Sequence, residues 1–146
     1  MQMTPRLWYR TIACLLLCAS VPRGPNSTAC GADRPQSDKV IVTSLVSVLA
    51  NPSQYNGKAV QVAGVYILAQ EHSALYLTKE HAAKYDFPSS IWVELGGEES
   101  HKAAYSARNK FIEVTGRLCY EEGKRRGHFG MWAIELRDVT FRVVRK

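Results

Sequence analysis

The sequence contains no Cys-x-x-Cys or His-x-x-x-His pair, no Gly-x-Ser-x-Gly turn and no glycine-rich loop that ends in lysine. The first absence removes the local spacings on which zinc sites are built. The second removes the strained turn that presents a serine nucleophile. The third removes the phosphate cradle of P-loop proteins, because Gly96-Gly97 has neither the lysine nor the spacing. Four histidines, His72, His81, His101 and His128, stand apart from one another and are expected as solvated loop and helix residues. Glu98-Glu99 and Glu121-Glu122 are paired carboxylates in sequence only, and adjacent side chains on a helix do not face one another. These absences lead to an expectation of no enzyme, no metal and no cofactor.

Length leaves room for one domain plus an appendage, and the appendage is at the front. Arg6 and Arg10 precede the apolar run Ile12 to Val21, which is followed by Pro22, Gly24, Pro25 and the small residues Ser27-Thr28-Ala29. That order is the order of a secretory signal cut after Ala29. The apolar run is about half of the roughly 20 residues that a bilayer-spanning helix needs, so residues 1–29 are expected to be removed rather than retained as an anchor. Cys30 would then be the first mature residue. Ser27-Thr28-Ala29-Cys30 resembles the lipid-attachment site of bacterial lipoproteins, although the usual Leu three places before the cysteine is missing. The resemblance implies a lipid on Cys30; ordinary secretion, with Cys30 free to pair with Cys119 in an oxidising compartment, is the competing expectation. Either way the expected location is the periplasm or the outer membrane. Residues 30–38 are polar and aperiodic and read as a tether, and residues 39–146 remain as the folded domain.

The formal charge of the whole chain is +6, and subtracting the three arginines of residues 1–29 leaves +3. This is a mildly basic protein, with some attraction to anionic envelope surfaces and well short of a nucleic-acid-binding extreme.

What is present is a repeat. Lys58-Ala-Val-Gln-Val-Ala-Gly64 returns as Lys110-Phe-Ile-Glu-Val-Thr-Gly116. Val60 and Val62, like Ile112 and Val114, alternate with polar or small positions, the period of a half-buried strand. Glycine inside a strand is favoured where the strand bends or another backbone comes close, so Gly64 and Gly116 are expected at barrel corners. Around the repeats, Val40 to Thr43 is a short β-branched run, and Ser44 can cap a helix with Leu45, Val48 and Leu49 on one face. Asn51-Pro52 stops that helix, and Asn56-Gly57 turns the chain into the first repeat. Gln70-Glu71-His72 is expected as a connection, Ala74 to Thr78 as a strand, Lys79 to Tyr85 as a short helix and Ile91 to Leu95 as a strand with Trp92 and Glu94 facing out. Glu98 opens a helix running to about Asn109, with acids at its positive end. In the last strand, Trp132, Ile134 and Leu136 share a face, and a phase slip at Arg137-Asp138 moves that face to Val139, Phe141 and Val143, the mark of a bulge.

The order strand, strand, strand, helix, strand, strand, with a short helix in front, resembles the OB-fold: mainly β, a five-stranded Greek-key barrel with a helix between its third and fourth strands. Asn51-Pro52, Tyr55-x-Gly57-Lys58-x-Val60-x-Val62-x-Gly64, Leu75-Tyr76 and Val114-x-Gly116 are similar to the small exported bacterial OB-fold proteins of the tRNA-anticodon-binding-like group, over residues 40–146. The resemblance implies binding through the face of the second and third barrel strands and the loops beside it. Here that face would offer Tyr76, Thr78, Trp92 and Glu94, next to the basic loop Lys124, Arg125 and Arg126. The expected function is a non-enzymatic binding module of the cell envelope, whose partner is an envelope protein or an anionic envelope component. The alternative is a single-stranded nucleic-acid-binding domain, in which the aromatics stack on bases and Lys79 and Lys84 reach phosphate.

Overall fold

The computed structural model describes residues 39–144. The expected signal, the tether and Cys30 lie outside the described residues. Strand β1 (Ile41–Val42) leads into helices α1 (Leu45–Ala50) and α2 (Pro52–Tyr55), strands β2 (Ala59–Ala69) and β3 (His72–Tyr76) and helix α3 (Lys79–Ala83). Then come β4 (Ser90–Val93), α4 (Glu98–Ala107), β5 (Lys110–Tyr120) and β6 (Ile134–Val143), with 3-10 turns at Phe87–Ser89 and His128–Gly130. The strand order β2-β3-β4-β6-β5 returns to β2 and closes a five-stranded barrel, to which β1 adds in parallel on β2. Within the barrel, β4 and β6 are parallel and the other neighbours antiparallel. This is the OB-fold-like barrel, with α4 between its third and fourth strands and α1 in front.

The two repeat copies are partners of each other. Val62 lies opposite Val114, Val60 opposite Gly116 and Gly64 opposite Ile112, so each copy sets its glycine against a β-branched residue of the other. Val60, Val62, Ile112 and Val114 are buried in the barrel. The glycines sit where another strand's backbone crosses closely. A Cβ on Gly64 would lie 2.5 Å from the Tyr76 carbonyl oxygen and 2.9 Å from Leu75 Cγ; on Gly116 it would lie 2.8 Å from the Arg137 carbonyl oxygen. The phase slip in β6 is a bulge: from Thr115 to Arg117 the β5 strand advances two residues while its partners on β6 run from Thr140 to Arg137. Asp138, within that stretch, has a φ of 52°, a left-handed conformation that Asp and Asn tolerate better than most side chains.

Helices pack on the same core. Ser44 caps α1, its hydroxyl accepting from the Ser47 amide at 3.0 Å, and Leu45, Val48 and Tyr55 join the barrel interior, as Ala104 and Ala107 of α4 do. Two assignments differ from the sequence reading: Trp132 does not share the barrel face of Ile134 and Leu136 but precedes β6 and joins a separate buried cluster, and the strand expected at Ala74 to Thr78 runs His72–Tyr76. Strand β3 begins at His72, which pairs with Ala69, so Gln70 and Glu71 alone make the turn and His72 becomes a strand residue. The paired register of the hairpin sets this, which composition could not reveal.

The outer face of the sheet is also covered. Val65, Ala74, Tyr76, Ala82 and Trp132 form a second buried cluster, with Ile67, Phe87 and Trp92 packed against it. Strand β3 is therefore buried on both faces: Leu75 enters the barrel, while Ala74 and Tyr76 lie under the loops.

Alanine at Gly64 is expected to destabilise the fold by about 1–3 kcal/mol, and alanine at Gly116 similarly, because backbone oxygen cannot move aside as a side chain would. Alanine at Gly96, where an added Cβ meets nothing within 4 Å, should be near neutral. Urea unfolding of the three variants checks this, and a Gly64 variant as stable as the parent would refute the close-approach explanation.

Candidate ligand-binding cleft

The face on which binding was expected is filled by the chain itself. Trp132 comes from the loop between β5 and β6 and is 2% exposed, with its indole N–H donating to Ser90 Oγ at 2.9 Å. Its ring lies 4.9 Å from Phe87 and 4.8 Å from Trp92, centroid to centroid. Gly127, with φ of 69°, lets the loop pass over both indoles; a Cβ there would be 2.6 Å from Trp92 and 2.7 Å from Trp132. Tyr76 is beneath this layer, with no exposed surface, and burial pushes its phenol up to about 12. Its ring is therefore part of the wall and cannot stack on a ligand. That corrects the expectation of an open Tyr76 face: the large apolar surface of β3 and β4 is covered by Trp132 and Phe87 before any ligand could reach it.

The basic loop is similarly occupied. Lys124 Nζ lies 2.6 Å from Glu121. Arg126 turns inward, 3.6 Å from Glu135 and 3.9 Å from Glu121, and its backbone exchanges hydrogen bonds with Trp132. Glu135 is buried, and Arg137 reaches the same carboxylate oxygen, Oε2, at 3.0 Å. Arg125 is left exposed. Two of the three positive charges thus hold the loop in place, and the structure does not bring Lys124, Arg125 and Arg126 together with Trp92 as one surface.

What is open lies beside that covered face. A cleft of about 1050 Å³ runs between the β2–β3 turn, the end of β4, helix α4 and the tip of the β5–β6 loop. Trp92 and Glu94 form its floor on β4, the indole N–H donating to Glu94 Oε2 at 2.8 Å. Across from them stand His101 and Tyr105 of α4 and Arg108, which caps its C-terminal end. Spacings of four and three residues put these on one helical stripe, while Ala104 and Ala107 face the core. Tyr105 is 61% exposed, and the Arg108 guanidinium stands 5.9 Å from its ring centroid. At the side, His128 Nε2 lies 3.3 Å from Glu71 Oε2, a link between the two loops that carries charge on both partners only when His128 is protonated.

Three of the four histidines, His72, His101 and His128, line this one cleft, although their spacing in sequence gives no hint of it. Among the described residues no group of three or more His, Cys, Asp or Glu side chains is arranged to hold a metal ion. His72 is the most enclosed by aromatic rings. It stacks parallel to Tyr76, meets Tyr85 and Trp132 edge-on, and shares a 3.0 Å hydrogen bond between Nε2 and the Tyr76 hydroxyl. His81 is elsewhere, beside Thr78 and Asp86.

Burial lowers the His72 pKa below its ordinary 6.5. As pH falls below about 6.5 the unfolded chain takes up this proton while the folded chain does not. The stability due to neutral His72 is therefore complete above that value, is lost as pH falls toward the lowered folded pKa, and is lost no further below it. Urea midpoints between about pH 8 and pH 5 should fall more in the parent than in His72→Gln, which has no proton to gain. The difference between the two proteins carries the test; parallel slopes would mean that His72 is not held neutral. No family model, curated protein or solved structure matches this chain, so the cleft is interpreted from its own residues.

Proposed function

We propose that the protein is a non-enzymatic binding module of the bacterial cell envelope, exported and cut after Ala29, in keeping with the small exported OB-fold proteins it resembles. The observation that carries the binding reading is the cleft, walled by the exposed Tyr105 ring on α4 and by Trp92 on β4. Ligand pockets commonly combine such apolar walls with a few polar groups. Trp92 remains in the site, and its neighbours are the residues of α4 and the two loops, in place of Tyr76 and the 124–126 loop.

Export draws support from a second residue. Cys119 is disulfide-bonded and is the only cysteine among the described residues. Disulfides persist in oxidising compartments such as the periplasm. A cut after Ala29 removes Cys14 and Cys18 and leaves Cys30 as the one other cysteine. A Cys30 bonded to Cys119 cannot carry a lipid, so this reading favours a released protein over a lipid-anchored one. Among the described residues no helix is long and apolar enough to cross a membrane.

The nucleic-acid alternative depended on exposed aromatics beside positive charge. Tyr76, one of those aromatics, is buried, and in the basic loop Lys124 and Arg126 are engaged by Glu121 and Glu135, while Lys79 and Lys84 stay exposed.

Intact mass and thiol counting on protein from fractionated bacteria that express the full chain test this. The expected result is an envelope-located chain that begins at Cys30 and shows no free thiol until reduced. Added lipid mass on Cys30 together with a free Cys119 would replace the disulfide by an anchor. An uncut chain with reduced thiols in the cytosolic fraction would refute export altogether.

A further inference from the structure

We propose that the cleft takes an uncharged, hydroxyl-rich glycan chain; this rests on the binding-module reading and names its ligand class. Three features of the lining carry it.

The first is charge. Apart from its histidines, the cleft is lined by the charged side chains Arg108, Glu71 and Glu94, one cation and two carboxylates. A polyanion such as single-stranded nucleic acid gains affinity by neutralising phosphates with lysine and arginine, and this lining offers one arginine against two carboxylates. The second is the mixture of hydrogen-bonding types. Carboxylates accept, the guanidinium donates, and neutral imidazoles do both. Phosphate oxygens only accept and would leave Glu71 and Glu94 facing like charge. Sugar hydroxyls both donate and accept, so every polar group of the lining can find a partner in them.

The third is the placement of the aromatic rings. Trp92 is fixed from behind by Trp132 and Gly127 and at its N–H by Glu94, so it loses little freedom when a ligand docks. Tyr105 stands on the opposite wall, largely exposed, an apolar body with a polar tip. Flat rings flanked by polar groups suit a pyranose, whose ring carries C–H bonds on its faces and hydroxyls around its rim. At about 1050 Å³, the cleft is at or beyond the upper end of small-molecule pockets, roughly 300–1000 Å³. It has room for several sugar units.

The test is an NMR titration of the mature chain with an N-acetylglucosamine tetramer and a panel of other neutral bacterial glycan fragments, with an oligothymidylate and a basic peptide as comparators. The expected result is saturable shifts of the Trp92 indole N–H and of the α4 amides with at least one neutral glycan, little changed between dilute and concentrated salt. Tyr105→Ala, at an exposed position that should leave the fold intact, is expected to weaken that binding about tenfold; Trp92→Ala should abolish it, with its fold checked by the dispersion of the spectrum. Shifts from the oligothymidylate alone, collapsing with salt, would overturn the glycan in favour of nucleic acid, and shifts from the basic peptide alone would overturn it in favour of a peptide. If no probe binds but isolated envelope fragments retain the parent and not Tyr105→Ala, the glycan assignment falls and the binding module stands. If those fragments retain neither protein, both fall.

Discussion

The molecule depends on β2 and β5 pairing with each other through their first eight residues, while β2 pairs β3 from Val65 onward and β5 pairs β6 along its other edge from Ile112 onward. In a closed sheet every strand borders two neighbours, and closure requires the strands to tilt and bend around the axis. Both strands here are eleven residues long, and in both the glycine comes where the neighbour's backbone presses in, Tyr76 on Gly64 and Arg137 on Gly116. The repeated heptapeptide is thus one geometric requirement met twice, since two antiparallel strands that close the same barrel face the same crowding from opposite directions. The β-branched pair Val62 and Val114 stands at the centre of the pairing, buried in the barrel.

Closure settles the inside of the sheet and leaves its outside to be covered. Strand β3 carries apolar residues on both faces, and the outward ones, Ala74 and Tyr76, end with no exposed surface. Covering a large ring removes apolar area worth about 1.5–3 kcal/mol, which offsets part of the entropy cost of ordering the loop that supplies Trp132. The turn Phe87–Ser89 and the loop before β6 are therefore structural parts of the sheet. Their presence moves any open surface sideways, to the flank between the β2–β3 turn and α4, where the rings of Trp92 and Tyr105 are still reached by solvent.

The barrel was legible because its signals are local and periodic. Val60, Val62, Ile112 and Val114 alternate, Asn51-Pro52 and Asn56-Gly57 punctuate, and the Arg137-Asp138 slip is visible as a change of phase; each survives in the structure as a paired strand, a turn or a bulge. The cleft was legible only in part. Trp92 was identified from strand alternation, but Glu71, His72 and His128 reach the site from segments far apart in the chain, and only the closed topology brings them together. The stripe His101, Tyr105, Arg108 did carry a readable signal, helical spacing opposite Ala104 and Ala107, yet a mixed polar face on an outer helix has the same spacing with no ligand at all. Tyr76 failed as a ligand residue for the complementary reason: alternation fixes which side of a strand a ring is on, and says nothing about what a loop more than fifty residues later will lay over it.

The Lys124-Arg125-Arg126 run marks the limit of reading charge along a chain. Counted in sequence it is a positive patch; in space, Lys124 meets Glu121 at the surface and Arg126 meets Glu135 in the interior. These two contacts differ in weight. An exposed pair such as the first contributes at most about 1 kcal/mol. The second involves a carboxylate with 4% exposure, and a charge so enclosed needs its partners present, since removing one from such a pair costs about 3–5 kcal/mol. Arg126, Glu135 and Arg137 therefore fix the root of the loop, and with it Gly127 over Trp92 and His128 beside Glu71. The positive charge of this loop acts on the cleft by position: it is consumed in holding one wall in place, and the wall it holds leaves a lining in which carboxylates outnumber cations.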